Sequence, residues 1–170
     1  YDKGSWLVYD GDTASPKLYA HKAKYHELFC YDIQKDSWQA TQLSGMPFIG
    51  QLGKKKKSKD GGSAALLGSQ VYALKGGNTQ EFWRYDPQND SWRESDTMPQ
   101  VGTNLKKKKV KAGADIAATN TDFLYALKGN KTQEFWAYLP GGLRLTANGS
   151  QPAGVMANRS TVSDIRLSIA

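Results

Sequence analysis

The chain has 170 residues, which is enough for one domain of ordinary size with one sizeable hydrophobic core. Hydrophobic residues make up 39% and charged residues 23%, as is typical of a soluble globular protein, and the net charge is +7. No apolar stretch is longer than a few residues, so the sequence excludes a transmembrane helix. No charged and then apolar leader precedes Tyr1, so we expect any secretion signal to have been removed or never to have existed.

An internal repeat organises the chain. Tyr72–Gly76 recurs as Tyr125–Gly129 and Thr79–Trp83 recurs as Thr132–Trp136, both at a shift of 53 residues. Identities of this length in register do not arise by chance, so they indicate a repeat architecture. The sequence predicts three copies and a tail of different composition, with the boundaries 1–47, 48–99, 100–145 and 146–170.

The first copy is divergent and contains both histidines and the single cysteine. Cys30 lies in an alternating run that predicts a strand, where a free cysteine behaves as a small buried hydrophobe. His21 and His26 are five residues apart, and on one strand they would face opposite sides. A metal site needs three or four convergent ligands. We therefore interpret the two histidines as surface residues of a hairpin and predict no metal site.

The second copy contains four predicted strands. They span 63–67, 70–74, 81–85 and 91–94, and the second and third are rich in β-branched or aromatic residues. Gly76-Gly77-Asn78 supplies residues that tolerate positive φ, as a tight hairpin requires. Asp86–Asp90 has the composition of a turn. No copy contains a convincing amphipathic helix.

The third copy departs from the pattern at its end, where Leu145 stands in place of the tryptophan of the fourth strand. Terminal repeats are expected to be atypical because they end the array. Residues 146–162 are rich in Asn, Ser, Gly, Ala and Thr, which predicts a linker. Asp164–Ala170 alternates strictly and predicts a C-terminal strand, either closing the last unit or donated to a neighbouring subunit.

Two lysine runs account for the positive charge. They consist of Lys54, Lys55, Lys56, Lys57 and Lys59, and of Lys106, Lys107, Lys108, Lys109 and Lys111. Without these ten residues the net charge would be −3, which is +7 minus 10. The runs are either solvated loop edges that prevent strand pairing or a ligand site for an anionic glycan or cell-surface partner. Nucleic acid is disfavoured because no arginine or aromatic residue is interleaved for base stacking.

Other residues have a structural and a functional interpretation. Glu81 and Glu134 recur in register, which favours a structural bond over an acid–base pair. The recurring aromatic residues are interpreted as packing between units, with a minority available for stacking on sugars. Four Asn-x-Ser/Thr sequons are possible glycosylation sites: Asn89, Asn130, Asn148 and Asn158. We identify no catalytic residue and expect no cofactor.

The second copy resembles kelch repeats, which have a glycine pair, then an aromatic residue, then a tryptophan at fixed offsets. The matching residues are Gly61-Gly62, Tyr72–Asn78 and Tyr85–Trp92. More narrowly, Tyr72–Asn78 and Glu81–Tyr85 resemble kelch-like repeats of secreted bacterial proteins, many of which end in a type IX secretion sorting domain. The resemblance implies an all-β fold, with three four-stranded antiparallel β-propeller blades, an incomplete ring and a C-terminal strand.

Three blades are too few to close a ring and would leave open edges. We therefore expect a fragment of a longer protein, or an oligomer in which other copies complete the ring. The resemblance favours a non-enzymatic extracellular or cell-surface module for assembly or for binding a partner such as an anionic polysaccharide. The alternatives are a propeller enzyme (oxidase, mutarotase or glycan-active) with its site at the channel mouth, and an intracellular adaptor. Bound metal would favour the enzyme.

Overall fold

The computed structural model describes residues 1–102, 105–119 and 122–140, and the backbone of residues 156–158. Sheet 1 contains β1 (Trp6–Tyr9), β2 (Lys17–Lys22), β3 (Glu27–Asp32) and β4 (Ser37–Trp38). Sheet 2 contains β5 (Ser63–Leu67), β6 (Gln70–Leu74), β7 (Phe82–Asp86) and β8 (Ser91–Glu94). Sheet 3 contains β9 (Asp115–Ala118), β10 (Leu124–Leu127), β11 (Phe135–Tyr138) and β12 (Met156–Asn158). Each sheet is an antiparallel meander in chain order.

The strands of sheet 2 begin and end where the turn residues lie. Between β6 and β7 the chain reverses through Gly76, Gly77 and Asn78, whose φ angles are 65°, 61° and 61°. These values fall in the left-handed region, which glycine and asparagine adopt at low cost. The prediction of four strands in this copy is therefore confirmed, with β7 beginning one residue later than expected.

The first strands of the three sheets are neighbours, with β5 in contact with both β1 and β9. The Ser63 hydroxyl at the start of β5 lies 2.5 Å from Asp115 Oδ1, and it accepts a hydrogen bond from the Ile116 amide at 3.2 Å. On the other side of sheet 2, Trp92 Nε1 donates to the carbonyl oxygen of Ser44 at 2.7 Å. The sheets are thus stacked face to face in sequence order.

Two hydrophobic clusters fill the space between the sheets. The cluster between sheets 1 and 2 consists of Trp6, Val8, Tyr19, Leu28, Cys30, Met46, Val71, Ala73, Trp83 and Tyr85. The cluster between sheets 2 and 3 consists of Tyr72, Leu74, Phe82, Met98, Val110, Ile116, Leu124, Ala126, Trp136 and Tyr138. Because side chains alternate across a strand, sheet 2 contributes one set of residues to each cluster. Cys30 is a free, buried thiol, as predicted.

The prediction of an all-β chain with three antiparallel sheets is confirmed for the described residues, which contain no helix. Consequently, no helix in this part of the chain is long and apolar enough to cross a membrane. The fourth strand of sheet 3 is β12, which lies inside the region predicted as a linker. The predicted C-terminal strand at 164–170 lies outside the described residues.

Candidate anion-binding site

The first three lysines of each run form the returning arm of a small hairpin. Lysine hairpin 1 (residues 48–56) is closed by the pairing of Ile49 with Lys55 and by a bond from the Lys56 amide to the Phe48 carbonyl at 2.8 Å. Lysine hairpin 2 (residues 100–102 and 105–108) repeats this geometry, with Val101 paired to Lys107. Each hairpin connects the last strand of one sheet to the first strand of the next.

A buried ion pair anchors each hairpin to its sheet. Lys75 Nζ lies 2.5 Å from Glu81 Oε2 and also donates to the carbonyl oxygens of Pro47 and Phe48 at 2.9 Å and 3.0 Å. Trp83 Nε1 donates to the same carboxylate at 3.1 Å. Burial lowers the pKa of Lys75, while the adjacent carboxylates oppose that shift. A buried charge is tolerated where such partners surround it.

The third copy repeats this anchor. Lys128 Nζ is 2.7 Å from Glu134 Oε2 and donates to the Gln100 carbonyl at 3.0 Å. Trp136 Nε1 completes the group at 3.2 Å from Glu134 Oε2. Glu81 and Glu134 therefore have the structural role that their recurrence suggested. The partner lysines were missed because lysine is rarely fully buried, although both stand six residues before their glutamates.

Both lysine hairpins lie at the same end of the stacked sheets. Each is bonded to the turn between the second and third strands of the following sheet, through Lys75 in one case and Lys128 in the other. Lys59, which follows hairpin 1, lies beside the start of β1, because a Cβ added at Gly4 would collide with the Lys59 backbone. The backbone of Lys111 lies in the same way beside Gly61, before β5.

The first run contributes to a cleft with a volume of about 410 Å³. The cleft is lined by Asp2, Lys3, Lys24, Lys57, Ser58, Lys59 and Asp60. Four lysines against two aspartates give this lining a formal charge of +2. None of the four lysines forms an ion pair within residues 1–102, 105–119 and 122–140. Their ammonium groups are thus available to an anion.

The remaining lysines of the two runs lie outside the lining of this cleft. Lys54, Lys55 and Lys56 are exposed on hairpin 1, and Lys55 Nζ lies 5.4 Å from the centroid of the Phe48 ring. In the second run Lys106, Lys107 and Lys111 are exposed, whereas Lys108 and Lys109 are half-buried. The structure therefore joins Lys57 and Lys59 to two lysines of the first copy, Lys3 and Lys24, which the sequence did not single out.

The interpretation of the histidines as surface residues is wrong. His21 is fully buried and its ring stacks on Trp6, with the centroids 5.0 Å apart. Burial lowers the pKa of His21 to about 3, and the nearby His26 adds to this effect, while the Gly4 backbone opposes it. His21 lies opposite Trp6 in the β1–β2 register, and the turn after β2 brings the ring of His26 to 6.0 Å from that of His21, so both rings lie in the interior.

His26 holds the segment that enters sheet 2. Its Nδ1 lies 2.6 Å from the Met46 carbonyl, and its Nε2 accepts a hydrogen bond from the Ser58 amide at 2.7 Å. This arrangement requires the neutral ring with the proton on Nδ1. Burial lowers the pKa of His26 to about 4, opposed by the bond to Met46 and reinforced by Lys75 and Lys57. The role shown by these contacts is structural.

Two of the four sequons have described side chains. Asn89 is exposed in the turn before β8, where its amide nitrogen donates to Asp86 at 2.7 Å. Asn130 is half-buried and donates to the Lys109 carbonyl at 2.9 Å. Asn148 lies outside the described residues, and only the backbone of Asn158 is described, in β12. Glycosylation at Asn130 would require its amide to leave Lys109.

Within the described ranges, no group of three or more His, Cys, Asp or Glu side chains could hold a metal ion. In the comparisons with known proteins, no family model matches the chain. No curated protein matches it significantly either. The case for a function therefore rests on the geometry of the lysine hairpins and the cleft.

Proposed function

We propose that this chain is a non-enzymatic β-propeller module of the kelch type, acting outside the cell, that binds an anionic partner such as an acidic polysaccharide or surface polymer. The observation that carries the proposal is the cleft where Lys57 and Lys59 meet Lys3 and Lys24. Lys57 and Lys59 flank Ser58, whose amide donates to His26 and whose hydroxyl donates to the Lys75 carbonyl, so the backbone between these two lysines is held in place.

The propeller assignment is supported by the sheet arrangement. Three four-stranded meanders stack in order, and their first strands lie side by side, as the innermost strands of propeller blades do. Both lysine hairpins then lie on one face of the array, so a polyanion could contact them together. An interaction of this kind releases counterions and weakens steeply as salt rises.

Binding of dextran sulfate, measured by calorimetry at several salt concentrations, tests the proposal. We expect K3Q/K24Q/K57Q/K59Q, which removes the four lysines of the cleft, to bind at least about tenfold more weakly than wild type at low salt, because several charge contacts are lost. The matched control is K17Q/K35Q. Lys17 pairs with Asp32 in the β2–β3 register and Lys35 bonds Asp32, so both lie at the opposite end of sheet 1.

The control variant should bind within about twofold of wild type, because surface charges remote from the site contribute little once screened. Equal binding by the quadruple variant and by wild type would overturn the assignment of the site. Absence of dextran sulfate binding by wild type at low salt would overturn the anion-binding function itself.

A second candidate function is assembly, and the outer faces of sheets 1 and 3 favour it. Leu7 is 60% exposed and Trp38 is 52% exposed on the outer face of sheet 1, and Leu127 is 49% exposed on sheet 3. Equivalent positions in sheet 2 are covered by its neighbours: Leu74, which corresponds to Leu127, is fully buried. Uncovered apolar faces of this kind mark interaction surfaces.

Light scattering tests the assembly role through the mass of the particle. Each chain contributes 18.8 kDa, so a closed dimer or regular polymer gives an integral multiple of that value. A measured mass equal to that of a single chain at every concentration would contradict self-assembly. The variant L7K/W38K is expected to lower the mass of any assembled particle, because it places charges on the face to be covered.

A further inference from the structure

The lysine–glutamate pair that anchors the hairpins also occurs in sheet 1, where none of the described residues forms a hairpin over it. Lys22 and Glu27 occupy the register positions of Lys75 and Glu81, and their charged atoms are 3.0 Å apart. Their side chains are 36% and 31% exposed, whereas those of Lys75 and Glu81 are 0% and 4% exposed. Among the described residues, the copy in sheet 1 therefore has the anchor but no segment that covers it.

In sheets 2 and 3 a segment of the chain covers the lysine–glutamate pair, and its contacts show what such a segment provides. It is an extended stretch that follows a buried methionine and a proline, Met46-Pro47 in one case and Met98-Pro99 in the other. Its backbone carbonyls accept from the buried ammonium group, as Phe48 does from Lys75 and Gln100 from Lys128. A glycine then passes over the glutamate, since an added Cβ at Gly50 would lie 2.8 Å from Glu81 Oε2.

The outer face of sheet 1 also has room for an apolar side chain. A largely apolar pocket of about 370 Å³ lies there, lined by Tyr1, Ser5, Trp6, Leu7, Ala20 and Trp38. Ala20 is on the same strand as Lys22, two residues earlier, and therefore on the same face of the sheet. Its equivalent in sheet 2 is Ala73, which packs in the same cluster as Met46.

We propose that the Lys22–Glu27 pair and this pocket form a docking site for an extended Met-Pro segment supplied by another unit of the same repeat. Lys22 Nζ donates to two backbone carbonyls of the segment, and Glu27 is covered by its glycine. The methionine enters the apolar pocket. The inference rests on the assembly role proposed above, for which it names the contact. It is independent of anion binding.

A labelled peptide with the sequence of residues 43–56 tests the proposal. Binding is measured by fluorescence anisotropy, at a protein concentration where light scattering gives the single-chain mass. We expect saturable binding to wild type and at least tenfold weaker binding to K22M, which keeps the apolar stem and removes the donor. The matched control is K35M, which should leave binding unchanged because Lys35 is an exposed lysine paired with Asp32 elsewhere on sheet 1.

A second control changes the peptide and leaves the protein intact. Gly50→Leu preserves the charge of the peptide but places a side chain against the carboxylate, so we expect at least tenfold weaker binding. Absence of binding to wild type, or equal binding to wild type and K22M, overturns the proposal. If the protein never assembles but the peptide binds through Lys22, only the assembly role fails. If it assembles and the peptide does not bind, only this site fails.

Discussion

Lys75 and Lys128 are the residues whose roles differ most from what their type predicts. Lysine is rarely fully buried, yet both of these lysines have no exposed surface. Each ammonium group contacts one carboxylate and at least one backbone carbonyl, and each lies over a tryptophan ring at 5.6 Å or 5.7 Å from the centroid. The ammonium group of each lysine thus joins its hairpin to the sheet.

Removing one partner of this pair should be strongly destabilising. We expect Lys75→Met to lower the free energy of unfolding by about 3 kcal/mol, because it leaves Glu81 buried without its counter-charge. The measurement is chemical denaturation at neutral pH. Lys35→Met removes an ion pair whose lysine is 78% exposed and should cost less than about 1 kcal/mol. A similar cost for both variants would contradict the role assigned to burial.

The buried histidines should make the fold sensitive to acid. Their pKa values in the folded protein are about 3 and about 4, below the ordinary value of 6.5, so the unfolded chain binds protons first as the pH falls. The contribution of the neutral histidines to the free energy of unfolding is therefore fully present above about pH 6.5 and is lost as the pH falls toward 4. The midpoints of chemical denaturation, measured at a series of pH values between 7 and 4, should fall in the same way.

The matched variant for this prediction is His26→Gln, which keeps a side-chain amide near Met46 and Ser58 but does not titrate. We expect it to be less stable than wild type at neutral pH and to lose less stability on acidification. An identical pH profile for the variant and wild type would show that His26 does not contribute to the acid sensitivity.

At the scale of the element, the two lysine hairpins have different residues at the turn position whose backbone is left-handed. Gly53 has φ of 69° in the first, and Leu105 has φ of 57° in the second. Both residues donate their amide to the glycine three residues earlier, at 2.9 Å and 3.0 Å. Because a side chain in the left-handed region is strained, the second hairpin carries a cost that the first avoids.

Exchanging these residues should change stability in opposite directions. Leu105→Gly is expected to stabilise the protein by about 1 kcal/mol, and Gly53→Leu to destabilise it by about as much, because Leu105 is 81% exposed and loses little packing. Thermal unfolding of the two variants measures both effects. Destabilisation by Leu105→Gly would mean that its side chain makes contacts that outweigh the strain.

At the scale of the whole molecule, stability comes from two separate interfaces between successive sheets. Val71 is fully buried in the cluster between sheets 1 and 2, and Val110 is fully buried in the cluster between sheets 2 and 3. The contacts of each sheet are with its neighbours in sequence, as in other repeat proteins. The free energy of the array is therefore approximately a sum over interfaces.

A double-variant cycle tests this additivity. We expect Val71→Ala and Val110→Ala to cost about 2 kcal/mol each, and the double variant to cost the sum within about 0.5 kcal/mol. Val101→Ala is the matched control, since Val101 is 42% exposed and should change stability by less than about 0.5 kcal/mol. A coupling well above that limit would show that the two clusters act as one core.

The sequence by itself determined the repeat, the strands and the turns, because alternation and turn chemistry are local properties. It placed the strands of sheet 2 to within a residue and indicated a structural role for Glu81. Only the tertiary structure decided which polar residues are buried, as Lys75, His21 and His26 show. Burial depends on the neighbouring sheet, so no local pattern reports it. For the same reason, the cleft that joins Lys57 to Lys24 emerges only when sheets 1 and 2 are stacked.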